Sequence, residues 1–133
     1  CEENKNFLRE VVDEFKKNNI RVSLFINPSI KTLENLNDIK VDRVELYTFD
    51  YASKYTDNPE KSIEPYINVV EFLKDIPSIG INAGHDLNLN NLEFLLKKIP
   101  NISEVSIGHA LVCDAFELGL KNTIARYKLI TNQ

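Results

Sequence analysis

An α/β fold of parallel β-α-β units is predicted by three observations. Strand-like and helix-like segments alternate along the chain without an internal linker, repeat or low-complexity stretch. Each strand-like run has one aliphatic face and one small or polar face. Four such units fit within 133 residues, about half of the ~250 residues typical of a closed (β/α)8 barrel.

The elements follow in order. Phe7, Leu8, Val11, Val12 and Phe15 recur at helical spacing with Glu and Lys between them, and Asn18-Asn19 ends that helix. Arg21 to Ile26 (RVSLFI) alternates and is rich in β-formers, which predicts a strand. Asn27-Pro28-Ser29 is a turn and helix start, with a short helix expected through about Asn37. Val41 to Tyr47 is the second strand, and a polar, aromatic loop (TFDYASKYTDNPE) follows. A long helix then carries Ile63, Ile67, Val70 and Leu73, with a bend expected near Pro65. Ile79 to Asn82 is the third strand and Asn88 to Ile99 a helix bearing Leu92, Leu95 and Leu96. Glu104 to Ile107 is the fourth strand, and helix runs from about Leu111 to Ile130 with an interruption near Gly119.

The strand faces narrow the architecture. Val22, Leu24 and Ile26 oppose Arg21, Ser23 and Phe25; Val44 and Leu46 oppose Arg43, Glu45 and Tyr47. The third strand sets Ile79 and Ile81 against Gly80 and Asn82, and the fourth sets Val105 and Ile107 against Glu104, Ser106 and Gly108. An open, doubly wound sheet buries both faces and reads as nearly continuous apolar runs. A barrel puts aliphatic residues under the helices and tolerates polar groups inside, near its catalytic end. The pattern therefore favours residues 1–133 as half of one (β/α)8 TIM-barrel domain. The chain contains no methionine, and it is expected to be a piece of a longer polypeptide.

Composition bounds the function. A net charge of −4 gives no basic field for nucleic acid or an anionic membrane, so an anionic substrate would need local donors. No run of 18 apolar residues predicts a membrane span. The two cysteines, Cys1 and Cys113, have neither metal-like nor redox-like spacing, which suits free thiols in a reducing cytoplasm. Cys113 is expected to be a small buried hydrophobe.

Three residues stand out. Glu45 lies within the strand-like run VELY. An exposed glutamate on an edge strand is the commonest fate of Glu, whereas a carboxylate turned into a barrel needs a partner or a substrate. His85 sits in Asn82-Ala83-Gly84-His85-Asp86-Leu87, just past the third strand. A lone histidine is more often structural than catalytic. Here Gly84 offers a tight turn and close ligand approach, at the strand end where barrel active sites lie. An imidazole there suits general acid or base chemistry near neutral pH. His109 repeats the pattern in Ser106-Ile107-Gly108-His109-Ala110, where a glycine before a helix leaves free N–H groups and a positive dipole end for a phosphate. These two turns hold both histidines of the chain. A metal site built from Glu45, His85, Asp86 and His109 competes, but no H-x-H, H-x-x-x-H or cysteine pair supports it. No P-loop, dinucleotide fingerprint or nucleophile elbow is present.

With RVSLFINP, VELYTFDYASKY, INAGHDLN and VSIGHALV in view, the chain resembles the pyridoxine 5′-phosphate synthase family over essentially its whole length. The resemblance implies the C-terminal half of the family's (β/α)8 barrel. It implies condensation of 1-deoxy-D-xylulose 5-phosphate with 3-amino-2-oxopropyl phosphate to pyridoxine 5′-phosphate, phosphate and water, without metal or organic cofactor. Glu45 matches the family's transition-state-stabilising glutamate and His85 its proton donor. Asp86 would meet the aminoketone phosphate through its backbone N–H, and Gly108 and His109 match the glycine–histidine pair that binds the same substrate. Tyr47 and Phe49 depart from the histidine and glycine that many members carry after the glutamate. The family's other catalytic groups would lie in the N-terminal half, so the 133 residues alone are expected to be inactive. A cytoplasmic homo-octamer is the implied assembly. Two rivals share fewer residues with the chain: another phosphate-binding barrel isomerase or synthase, and a non-catalytic half-barrel binding module.

Overall fold

The computed structural model describes residues 4–33, 36–76 and 78–132, so Cys1 lies outside the described residues. Four strands, β1 (Ser23–Ile26), β2 (Arg43–Tyr47), β3 (Gly80–Gly84) and β4 (Ile102–Ser106), form one sheet in the order β1-β2-β3-β4, every pair parallel. The helices are α1 (Lys5–Lys17), α2 (Leu36–Ile39), α3 (Phe49–Lys54), α4 (Pro59–Leu73), α5 (Leu92–Lys98), α6 (His109–Leu118) and α7 (Leu120–Thr131). All four strands point the same way, so their carboxyl ends share one rim.

Local chemistry explains the boundaries. Asn19 adopts φ 57°, and the N–H groups of Asn19 and Ile20 donate to the carbonyls of Lys16 and Phe15, a Schellman closure that ends α1. Asn58 caps α4 by accepting from the Lys61 N–H at 3.0 Å, with Pro59 in the first turn and Pro65 held inside the helix. Gly119 (φ 79°) separates α6 from α7.

Several elements differ from expectation. The segment after Ser29 is a 3-10 turn (Ile30–Thr32) and then α2, not one helix. The expected loop 48–60 contains α3, whose one buried residue, Tyr51, is too little for a periodic signal. α5 begins at Leu92 because Asn88 and Asn91 bond one another and their neighbours' N–H groups in a turn. β3 runs on to Gly84, β4 begins at Ile102 with a register shift opposite Ile81/Asn82, and α6 starts at His109 rather than Leu111. Cys113 is exposed, contrary to expectation, because α6 buries none of its residues fully.

The core lies on one face of the sheet. Ile26, Val44, Leu46, Ile81 and Ala83 meet Val12, Ile63, Tyr66, Val69, Leu92 and Leu95 from the helices, and burying each large aliphatic side chain contributes about 1.5–3 kcal/mol. The other face is polar. Arg43 donates to Asn82 Oδ1 at 2.9 Å, Asn82 donates to Glu104 at 3.0 Å, and Arg21 grips both oxygens of Glu104 at 2.8 and 3.0 Å. In register, the row of Glu104 passes through Asn82 and Glu45 to Phe25, four residues above Arg21. In a flat sheet Arg21 and Glu104 would stand roughly 19 Å apart, from ~4.8 Å between strands and ~3.3 Å per residue. A two-pronged bond over that diagonal requires the sheet to coil concavely around its polar face.

Candidate active site

Two adjacent rows of side chains lead up to the rim. The upper row pairs Tyr47, Gly84 and Ser106, and the row beneath pairs Phe25, Glu45, Asn82 and Glu104. Glu45 therefore lies on an interior strand, not an edge. It is half-buried, and among the described residues its carboxylate has no hydrogen-bond or ion-pair partner. That carboxylate folds up over Gly84. A Cβ at Gly84 would collide with Glu45 Oε1 and come within 3.0 Å of Ser106 Cβ. The use of this glycine is thus close approach of Glu45, and the left-handed turn expected of it falls on the next two residues.

His85 has φ 95° and Asp86 φ 56°. Asp tolerates the left-handed region, but 95° lies beyond it for histidine, and such conformations cost on the order of 1–3 kcal/mol unless the surroundings fix them. The surroundings do. The fully buried Thr48 donates its hydroxyl to the His85 carbonyl at 2.6 Å, and its N–H donates to the Gly84 carbonyl at 2.9 Å. Asn91 donates its amide to the Asp86 carbonyl at 3.1 Å. The His85 ring stands edge-on to Tyr47 (4.7 Å between centroids) and Phe49 (5.8 Å), and its Nδ1 lies 3.3 Å from Asp86 Oδ2, a charged pair only when the imidazole is protonated.

Behind the turn lie two buried tyrosines. Tyr51 donates to the Asn91 carbonyl at 2.6 Å, while Tyr66 accepts from the Tyr51 N–H and donates to the Tyr47 carbonyl at 2.8 Å. Burial pushes the Tyr66 phenol up to about 12 and raises that of Tyr51 as well, so both remain neutral donors.

The second turn is open. Gly108 precedes α6 and has nothing within 4 Å of where a Cβ would sit, and His109 is the first residue of the helix, exposed. The start of α6, whose leading N–H groups lack intrahelical partners, lines a cavity of about 550 Å³ walled by His85, Asp86, Leu87 and Asn88 on one side and by Ser106 through Ala110 on the other. The structure thus brings His85, Asp86, Gly108 and His109 around one cavity, with Glu45 outside its lining but against the base of the His85 turn. Among the described residues no group of three or more His, Cys, Asp or Glu side chains is placed to hold a metal ion, and no helix is long and apolar enough to cross a membrane. Thr48, Tyr51 and Asn91 escaped sequence reasoning. Their signals were a threonine directly after VELY and the asparagine-rich run LNLNN.

Fold and site define a parallel α/β protein whose polar groups gather at the carboxyl rim of its strands, the usual place for ligands in such sheets. A family described as "Pyridoxal phosphate biosynthesis protein PdxJ" matches residues 1–133. The chain belongs to that family. It is 45% identical over 130 residues to the pyridoxine 5′-phosphate synthase of Parabacteroides distasonis, covering 98% of this chain and 54% of that protein. Identity to the pyridoxine 5′-phosphate synthase of Cytophaga hutchinsonii is 49% over 123 residues, 92% of this chain and 51% of that one. The chain spans about half the length of the curated relatives it matches.

Proposed function

We propose that this chain forms the C-terminal β/α units of a (β/α)8 barrel that condenses 1-deoxy-D-xylulose 5-phosphate with 3-amino-2-oxopropyl phosphate into pyridoxine 5′-phosphate, releasing phosphate and water. The observation that carries the reading is the meeting of both strand–Gly–His turns at one cavity in a chain of this family. The barrel is supported by the Arg21–Glu104 bond: a shear of 8 over eight strands shifts the level by about one residue per strand, close to the diagonal that this pair spans.

The chemistry divides between the turns. The α6 N-terminus at Gly108 and His109, with the Asp86 N–H opposite, binds the aminoketone phosphate and orients its amine and carbonyl. His85 donates the proton that lets hydroxyl leave as water during imine formation and dehydration. Glu45, whose carboxylate one row below has no partner among the described residues, offsets positive charge that develops on the iminium-like nitrogen. These steps use side-chain acids and oriented N–H groups, so the proposal includes no metal or organic cofactor. The xylulose phosphate and the remaining catalytic groups are assigned to the other half of the barrel. The whole assembly is proposed as a homo-octamer of the cytoplasm.

The test is to supply both substrates to the intact polypeptide and follow pyridoxine 5′-phosphate and inorganic phosphate, which should appear in equal amounts. Residues 1–133 alone should release neither. Isomerisation of a single phosphosugar without ring closure would support the rival barrel enzyme instead, and phosphate binding without turnover would support the binding module.

A further inference from the structure

We propose that Thr48 and Asn91 are positioning residues with separate tasks: Thr48 sets the two peptides that flank His85, and so both its imidazole for proton transfer and the Asp86 N–H for phosphate binding, while Asn91 sets only the Asp86–Leu87 peptide in the wall of the phosphate cavity. The assignment of tasks rests on the function proposed above. The clamp itself rests on geometry alone.

Two consecutive non-glycine residues with positive φ do not hold themselves in place. Each of the two carbonyls in this turn is caught by a different buried side chain from a different element. Thr48, at the end of β2, holds the carbonyls of Gly84 and His85 with its N–H and hydroxyl. It thereby fixes where the His85 side chain leaves the backbone, edge-on to Tyr47 and Phe49 and facing the cavity. Asn91, before α5 and 2% exposed, donates to the Asp86 carbonyl and accepts from the Asn88 N–H at 2.9 Å. It therefore fixes the Asp86–Leu87 peptide, on the far side of Asp86 from its own N–H. The Asn91 carbonyl is tied through Tyr51 and Tyr66 to the Tyr47 carbonyl, so the circuit returns to the strand that carries Glu45. The proton-donor turn is thus referenced to the carboxylate strand rather than to solvent.

The test compares Thr48→Val, which keeps volume but loses the donor, with Thr48→Ser, which keeps the donor, and with Asn91→Ala, all in the intact polypeptide. Thr48→Val should lower kcat at least about tenfold and raise KM for the aminoketone phosphate as well, because the Asp86 N–H shares a peptide with the carbonyl that is released, while Thr48→Ser stays near the parent. Asn91→Ala should raise that KM about tenfold with kcat within about threefold. Proton NMR supplies an arm independent of turnover: the His85 ring protons, shifted by Tyr47 and Phe49, should move towards free-histidine positions in Thr48→Val and hold in Thr48→Ser. If Thr48→Val fails to fold, Thr48→Ala carries the same expectation against the serine control. The proposal is overturned if the valine and serine variants give the same spectrum, or if Asn91→Ala lowers kcat as much as Thr48→Val does. A parent polypeptide without synthase activity would sink the functional reading, and the spectra would still decide the clamp.

Discussion

The two glycine–histidine turns look alike in sequence and are built in opposite ways. At the first, Gly84 is hemmed in by Glu45 and Ser106, and the backbone of His85 and Asp86 is held by Thr48 and Asn91. At the second, Gly108 has open space around it and His109 stands exposed on a helix N-terminus. A group that must move a proton needs its position fixed beforehand. Groups that grip a mobile phosphate need reachable N–H donors, and the ligand itself then completes the order. The difference teaches that a repeated motif need not imply a repeated role.

Kinetics should separate the two turns most strongly. In the intact polypeptide His85→Ala is expected to lower kcat by about 10²–10⁴-fold, the range for loss of a general acid. His109→Ala should instead raise KM for the aminoketone phosphate about tenfold and leave most of kcat, as for a residue contributing uniform binding. Steady-state assays at varied aminoketone phosphate check both. Equal losses of kcat at the two positions would erase the comparison.

The sequence carried the alternation of helices and strands, the polar face and the two turns because each rests on a local pattern: alternation within RVELY, or a glycine before a histidine at a strand end. What escaped it depends on contacts between segments distant in sequence. α3 has one buried residue, and its Tyr51 finds Asn91 forty positions away, so no window of periodicity reveals it. Gly84 was legible as a small residue near a turn, but whether it serves φ or space depends on the Glu45 side chain from the neighbouring strand. Cys113 illustrates the converse: an apolar helical segment, HALVC, reads as buried, yet no packed partner covers that side of α6 among the described residues.

Stability gives a second separation, of smaller size. Gly84→Ala forces a methyl group against Glu45 and Ser106 inside the sheet, and overpacking of that kind costs about 1–3 kcal/mol. Gly108→Ala meets no atom and should cost no more than about 1 kcal/mol, the difference between glycine and alanine as a helix N-cap. Urea unfolding of both variants measures this directly. The same alanine at Gly108 should still weaken inorganic phosphate binding, because it crowds the approach to the α6 N–H groups. A Gly84→Ala protein as stable as the parent would mean that Glu45 is free to swing away.

The smallest effect belongs to the lower part of the polar face, where the charges are paired rather than left for a substrate. Glu104 is held below the usual carboxylate range first by its hydrogen bond from Arg21, then by that from Asn82 and by the nearby Arg21 and Arg43 charges, against an opposing effect of desolvation. Asp42 is held down likewise, first by the Val22 N–H at 2.8 Å and then, against desolvation, by Lys16. A carboxyl group whose value is lower in the folded state contributes stability above its unfolded value. For Glu104 that stability is therefore intact above about pH 4.3, the ordinary value for glutamate, and is lost as the pH falls through the lower folded value. Glu104→Gln removes the titrating group but keeps an oxygen for Arg21 or Asn82. It should cost little at pH 7, since Glu104 is exposed and well screened. Its stability should then fall less steeply than the parent's in urea titrations stepped downward from pH 5. Parallel slopes in the two proteins would show that the Arg21–Glu104 bond, and with it the coiling of the sheet that the bond requires, does not persist in solution.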